Sequence, residues 1–176
     1  VLNNTYGNVT IKVSVPENAT GNITVTINNK TYSGIIEDGS AIIKLPNAKA
    51  GNNTAIITYG GDENYNPVTK EEIIEVVKKR LNPDDINVTI GNNTYGNVTV
   101  NVTVPGDATG NITITIGNET YVAPIVNGSA IIELPDVPAG NHTMTIIYGG
   151  DDNYDPIAKD EQLEICLLYT SDAADD

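Results

Sequence analysis

The sequence predicts an all-β chain made of two tandem β-sandwich modules, and three observations carry that prediction. The first is internal repetition: residues 3–76 align without a gap on residues 92–165, with roughly 60% of positions identical. The second is a period of two. Val98, Val100, Val102 and Val104 alternate with Asn97, Thr99, Asn101 and Thr103, which puts every apolar side chain on one face of a strand. The third is composition. The 176 residues include no Phe and no Trp, and the apolar mass is Ile, Val, Leu and Tyr, types that suit a half-buried pleated surface. A module of this size hides roughly 60–65% of the surface its unfolded chain exposes, so each core is modest.

The first module opens on Asn3-Asn4-Thr5-Tyr6-Gly7. A strand over residues 8–15 turns Val9, Ile11, Val13 and Val15 inward, and Pro16 ends it. Glu17-Asn18-Ala19-Thr20-Gly21 is turn chemistry, after which residues 22–27 resume the alternation with Ile23, Val25 and Ile27. Asn28-Asn29, or Gly117-Asn118 in the second copy, suits a tight hairpin with positive φ. Residues 31–36 and 40–45 flank Asp38-Gly39, and the second copy flanks Asn127-Gly128, a strong hairpin signal that predicts adjacent antiparallel strands. In the next strand Ala55, Ile57 and Tyr59, matched by Met144, Ile146 and Tyr148, face inward.

A Gly-rich acidic loop follows, Gly60-Gly61-Asp62-Glu63-Asn64-Tyr65-Asn66-Pro67, copied as Gly149-Gly150-Asp151-Asp152-Asn153-Tyr154-Asp155-Pro156. Over residues 70–81 helix and strand compete, because Glu71/Glu75 and Glu75/Lys79 would make supportive i,i+4 pairs. The second copy decides for a strand: Ile73 becomes Gln162 while Ile74 and Val76 become Leu163 and Ile165, which keeps period two.

These readings divide the chain into module 1 over residues 1–79, a short polar linker over 80–85, module 2 over 86–165 and an unrelated tail over 166–176. Val1-Leu2 aligns with Ile90-Gly91, so the first copy is expected to start partway through an element. The tail matches nothing in the first copy. It resembles a translated sequencing-adapter read-through, which implies a non-native segment outside the fold. The single cysteine, Cys166, lies in it, so the modules offer no disulfide framework or redox thiol.

The order Tyr-Gly, alternating Val/Thr strand, Pro, Ala-Thr-Gly-Asn, Asn-Gly, Leu-Pro, Ala-Gly and Tyr-Gly-Gly-Asp-x-Asn-Tyr resembles the group 3 bacterial Ig-like domains. It is similar above all to the tandem repeats of archaeal adhesin-like surface proteins. The resemblance covers both modules and implies two tandem immunoglobulin-like β-sandwich domains from an extracellular, cell-surface stalk. It also implies further Ig-like repeats of the same chain as neighbours and a cell-surface glycan or protein as the ultimate target. The pattern departs from antibody-type domains: the tyrosine-corner position holds Asn53 and His142, and that of the following cysteine holds Ala55 and Met144. Crosslinked surface domains use a first-strand lysine, but Lys12 becomes Asn101, so no crosslink common to both copies starts there.

Charge narrows the function. A formal net charge of −14 argues against nucleic acid and against anionic membrane surfaces. No run of ~20 apolar residues is present to span a bilayer. An enzyme is not expected: the lone His142 stands where the first copy has Asn53, and no Ser-His-Asp or Cys-His set assembles twice.

Three kinds of candidate site remain. Asp62, Glu63 and Asn64, with Asp151, Asp152, Asn153 and Asp155, cluster oxygen ligands of the kind Ca²⁺ prefers, although acidic turns also serve simply to bond their own backbone. Asn-x-Ser/Thr recurs along both modules, and strands filled outside with Asn and Thr create the pattern automatically. At Asn18, Asn52, Asn118, Asn127 and Asn141 it falls in or beside predicted turns, where that explanation fails and N-glycosylation is the alternative. Tyr65 and Tyr154 are partner-contact candidates whose competing role is to close the ends of the core. The leading expectation is a structural spacer that projects a binding region, with no cofactor; the alternative is a glycan- or protein-binding module with Ca²⁺-ordered loops.

Overall fold

The alternation read from the sequence appears directly as burial. Val98, Val100, Val102 and Val104 are 5% exposed or less, and the Asn and Thr residues between them face outward. A computed structural model describes residues 1–167, and the chain divides into two units, Val1–Lys79 and Arg80–Asp176.

Unit 1 contains β1 (Thr10–Ser14), β2 (Asn22–Ile27), β3 (Lys30–Ile35), β4 (Ser40–Lys44), β5 (Gly51–Tyr59) and β6 (Val68–Val76). One sheet pairs β1 with β4; the other has the order β3-β2-β5-β6, all antiparallel. Unit 2 contains β7 (Asn87–Asn92), β8 (Val98–Thr103), β9 (Asn111–Ile116), β10 (Glu119–Pro124), β11 (Ser129–Leu134), β12 (Gly140–Tyr148) and β13 (Ile157–Ile165). Its sheets have the orders β11-β8-β7 and β10-β9-β12-β13. The second sheet of each unit is the same arrangement shifted by one repeat.

Each core is aliphatic and lies between its two sheets. In unit 1 Val9, Ile11, Ala41, Ile43 and Leu45 from the small sheet side meet Ile23, Val25, Ile27, Ala55, Ile74 and Val76. β-Branched residues crowd these positions because the branched Cβ packs well on a pleat, and burying each Ile or Val contributes about 1.5–3 kcal/mol. The strand over residues 70–81 is confirmed in kind but shifted: β6 covers Val68–Val76, with Ile74 and Val76 buried and Ile73 69% exposed.

One expectation is corrected. Asp38-Gly39 and Asn127-Gly128 do make tight turns, with φ of 47 and 78 and of 50 and 80. The strands on either side, however, are not partners. Glu37 and Ser40 exchange a single pair of backbone bonds, and then β3 runs with β2 while β4 runs with β1 in the opposite sheet. The cause lies just before the turn. The Ile36 amide still donates to the Gly21 carbonyl at 3.0 Å, which holds β3 to β2 as far as Ile36. Ile36, Ala41 and Ile43 must all reach the core, and only a crossing between sheets lets both segments do so. The Asn28-Asn29 hairpin forms as expected, with φ of 51 and 65, and it joins β2 to β3.

Between residues 80 and 90 the chain is more structured than a polar linker suggests. Pro83–Asp85 forms a 3-10 turn in which the Asn82 amide donates to the Asp85 carboxylate at 2.8 Å and the Asp85 amide to the Asn82 carbonyl at 2.9 Å, and Ile86 is fully buried. At the other end Cys166 bridges in parallel to Thr94, as Val77 does to Thr5. Residues 168–176 of the expected tail lie outside the described residues.

Candidate functional site

The acidic loops between β5 and β6 and between β12 and β13 are built around a glycine that no other residue can replace. Gly61 and Gly150 have φ of +80 and +79, and a Cβ there would sit 2.7 and 2.8 Å from the carbonyl oxygens of Tyr65 and Tyr154. That close approach lets the amides of Asp62 and Asp151 donate to those same carbonyls, at 2.9 and 3.0 Å.

The carboxylate then fastens the loop in two directions. Oδ1 of Asp62 accepts from the amides of Asn64 and Tyr65, each at 2.8 Å, and Oδ2 accepts from the Thr20 amide at 2.9 Å and the Thr20 hydroxyl at 3.3 Å. Asp151 repeats this with Asn153, Tyr154 and Thr109, at 2.7, 2.8, 2.9 and 3.3 Å. Each aspartate thus ties its loop to a turn 42 residues earlier. The Thr20 amide, followed by that of Asn64, holds the Asp62 carboxyl down at about 2 from an ordinary 3.8. At Asp151 burial works against the charge, but the amides of Thr109, Asn153 and Tyr154 outweigh it and its pKa also falls.

Two tyrosines complete each end. The Tyr59 hydroxyl donates to the Thr20 carbonyl at 3.0 Å and the Tyr148 hydroxyl to the Thr109 carbonyl at 3.1 Å. Burial, reinforced by the neighbouring aspartate, raises the pKa of both phenols. The Tyr65 hydroxyl donates to Asn18 Oδ1 and the Tyr154 hydroxyl to Asp107 Oδ1, both at 2.6 Å. Tyr154 is 5% exposed and Tyr65 half-buried, so both rings close the end of a sandwich, and only Tyr65 keeps appreciable surface for a partner.

The other metal-ligand candidates are spread around these loops. Glu63, Asn64 and Asp152 are exposed, and Asn153 and Asp155 are half-buried. Among the described residues no three His, Cys, Asp or Glu side chains come together as a metal site. The five glycosylation candidates, Asn18, Asn52, Asn118, Asn127 and Asn141, are all exposed. Asn127 sits in the left-handed region at the tip of its turn, and the oxygen of Asn18 receives the Tyr65 bond.

Some contributors escape a reading based on residue type alone. Asn53 is a buried polar side chain whose amide donates to the Lys49 carbonyl at 2.7 Å, and His142 Nε2 donates to Pro138 at the same place and distance. Lys159 donates to the carbonyls of Pro83 and Ile86, at 3.2 and 2.8 Å. Thr20 and Thr109 donate to the aspartates. The signal available for Thr20, Thr109 and Lys159 was their identity between copies.

Residues 83–164 match the family model of the bacterial Ig-like domain (group 3). Unit 2 is an Ig-like domain. Unit 1 repeats its architecture, so the chain is two Ig-like β-sandwiches in tandem. No curated protein matches the chain. Among solved structures it is similar to the fibronectin(III)-like modules of Clostridium thermocellum CbhA, at 13% identity and a TM-score of 0.36 over 93% of this chain and 87% of that one. It is also similar to the titin Ig tandem domains, at 12% and 0.38 over 93% and 90%. A Parabacteroides merdae β-glucuronidase gives 11% and 0.35 over 82% of this chain and 21% of that one. Among the described residues no helix of the Ig-like chain is long and apolar enough to cross a membrane.

Proposed function

We propose that the chain is a spacer from an exported, adhesin-like surface protein, in which Ig-like repeats in series carry a binding region away from the cell. One observation carries this reading: the residues that the two units share in their most distinctive loop hold that loop to its own sandwich. Asp62 and Asp151 each accept four internal hydrogen bonds, and Tyr65 and Tyr154 bond the facing turn. Duplicating such a loop duplicates rigidity. An extracellular setting is supported by the family matched by residues 83–164 and by the acceptor asparagines Asn18, Asn118 and Asn127 on exposed turns, whereas Asn52 and Asn141 lie in β5 and β12. The partners are then neighbouring Ig-like repeats, and the glycan or protein target belongs to the projected region.

The test is binding by the 176-residue chain. On a glycan array and on a panel of surface proteins, the spacer reading expects no saturable signal, with or without Ca²⁺. Saturable binding that a folded Tyr65→Ala variant loses would overturn it in favour of a binding module. An antibody to unit 2 is expected to label intact producing cells; labelling only after lysis would contradict the surface setting.

A further inference from the structure

Between the two copies, one face keeps its apolar centre and reverses its charge. Residues 1–79 carry seven basic and eight acidic side chains, whereas residues 80–165 carry two and twelve. The change is concentrated on β4, β11 and the segments around them. In unit 1 Lys12 lies opposite the exposed Ile42, and Lys44 follows two residues along the same face of β4. Lys30 opens the neighbouring β3, and the Asn28 side chain, which donates to the Asn47 carbonyl at 3.3 Å, holds that hairpin beside the loop carrying Lys49. In unit 2 the positions matching Lys12, Lys30, Lys44 and Lys49 hold Asn101, Glu119, Glu133 and Pro138, and Asp136 stands where unit 1 has Asn47. Burial, and after it the charges of Glu119 and Asp136, raise the pKa of the Tyr121 phenol, so both carboxylates lie near one ring. All four lysines and all three acids are exposed.

The centre of the face is apolar in both copies. Ile42 is 59% exposed and its counterpart Ile131 65%. Unit 1 has three other exposed isoleucines, Ile35, Ile56 and Ile73, and the second copy replaces them with Pro124, Thr145 and Gln162. Only Ile42 persists, although contact with water gives no reason to keep it. The strands that carry the pair are edges. β4 pairs with β1 and β11 with β8, and among the described residues no strand pairs with the other side of either, beyond the turn bridges at Ser40 and Ser129.

We propose that these faces are two halves of one interface, through which the lysine face of unit 1 takes the acidic face of unit 2 in a second copy of the chain. Ile42 then packs against Ile131, with Lys12, Lys30 and Lys44 facing Glu119, Glu133 and Asp136. Pairing like with like is disfavoured, because unit 1 against unit 1 sets lysine against lysine and unit 2 against unit 2 sets carboxylate against carboxylate. The contact is therefore heterologous, and each copy offers one half to each of two neighbours. A chain of net charge −14 repels its copies in most orientations. This orientation is the exception, since four of unit 1's seven basic residues are gathered on the face that meets the acids. The proposal goes beyond the spacer reading and does not rest on it.

The experiment is sedimentation velocity of the intact 176-residue chain over a concentration series, with a reductant present because Cys166 is exposed. It is run in about 0.1 M and about 1 M NaCl, where charges are screened beyond about 10 Å and about 3 Å. Association that the higher salt weakens is the expected result; repulsion between net charges alone gives the opposite dependence. Two double variants then divide the interface. Lys30→Gln with Lys44→Gln neutralises the half on unit 1, and Glu119→Gln with Glu133→Gln neutralises the half on unit 2. Each variant alone should associate about tenfold more weakly, as removal of two exposed ion pairs does. Mixed in equal amounts, each supplies the half that the other lacks, so a one-to-one dimer should form and growth should stop there. All four side chains are exposed, so both variants are expected to fold, which circular dichroism checks. A monomer at every concentration and salt, association that salt strengthens, or association unaltered in both variants would overturn the proposal. So would a mixture no more associated than either variant by itself.

Discussion

Replacing one matched isoleucine in each unit separates burial from sequence, because Ile57 and Ile146 occupy the same place in two copies of one strand. Ile146 is fully buried, whereas Ile57 is half-buried. Ile146→Ala removes buried methyl groups and leaves a cavity, costing about 3 kcal/mol. In a domain of this size that lowers the melting temperature by roughly 12–24 °C, at about 4–8 °C per kcal/mol. Ile57→Ala loses far less water-excluded surface and leaves no closed cavity, so its cost is about 1 kcal/mol. Differential scanning calorimetry of the intact chain reads both, each substitution moving one of two transitions. Equal shifts for the two variants, or movement of both transitions by either one, would refute the reasoning that the units are separate cores closed to different degrees.

Three further outcomes follow from the hydrogen bonding. The Asp62 pKa is depressed to about 2 from 3.8, so its stabilisation of unit 1 is fully present above about pH 4 and is lost as pH falls through about 2; Asp62→Asn should flatten that acid limb of the melting curve. Among the described residues the buried Tyr121 hydroxyl has no hydrogen-bond partner, whereas Tyr32 receives the Asn47 side-chain amide at 2.7 Å; Tyr121→Phe should therefore raise stability by about 1 kcal/mol and Tyr32→Phe lower it by a similar amount, measured by urea unfolding. Because both oxygens of Asp62 and of Asp151 are already bonded within the fold, millimolar Ca²⁺ should leave both melting transitions where they are, and a clear upward shift would revive the metal reading.

Much of this architecture was legible because period two is a local signal written twice. Val98 to Val104 could be assigned to a buried face from spacing alone, and Gln162 in place of Ile73 exposed the strand that i,i+4 pairs had disguised as a helix. What spacing could not reveal was partnership at a distance. The Asp38-Gly39 turn has the chemistry of a hairpin, yet which sheet each flanking strand joins is decided by Ile36 and its bond to Gly21, far along the chain. The loops are similar. Their Asp, Asn and Tyr suggested a metal or partner site, but the Thr20 and Asn18 that engage them lie more than 40 residues away and carry no special residue type. Lys159 was equally silent, since a lysine on a strand edge reads as solubility until the carbonyls of Pro83 and Ile86 are placed beside it.

Single-molecule force spectroscopy addresses the central claim, that two self-contained sandwiches stand one after the other along the chain. Each unit releases about 80 residues when it unfolds, so pulling from the two ends should give two separate events that each lengthen the chain by roughly 25 nm, given a little over 3.3 Å per extended residue. One merged event of about twice that length, or a gradual extension with no peaks, would contradict it.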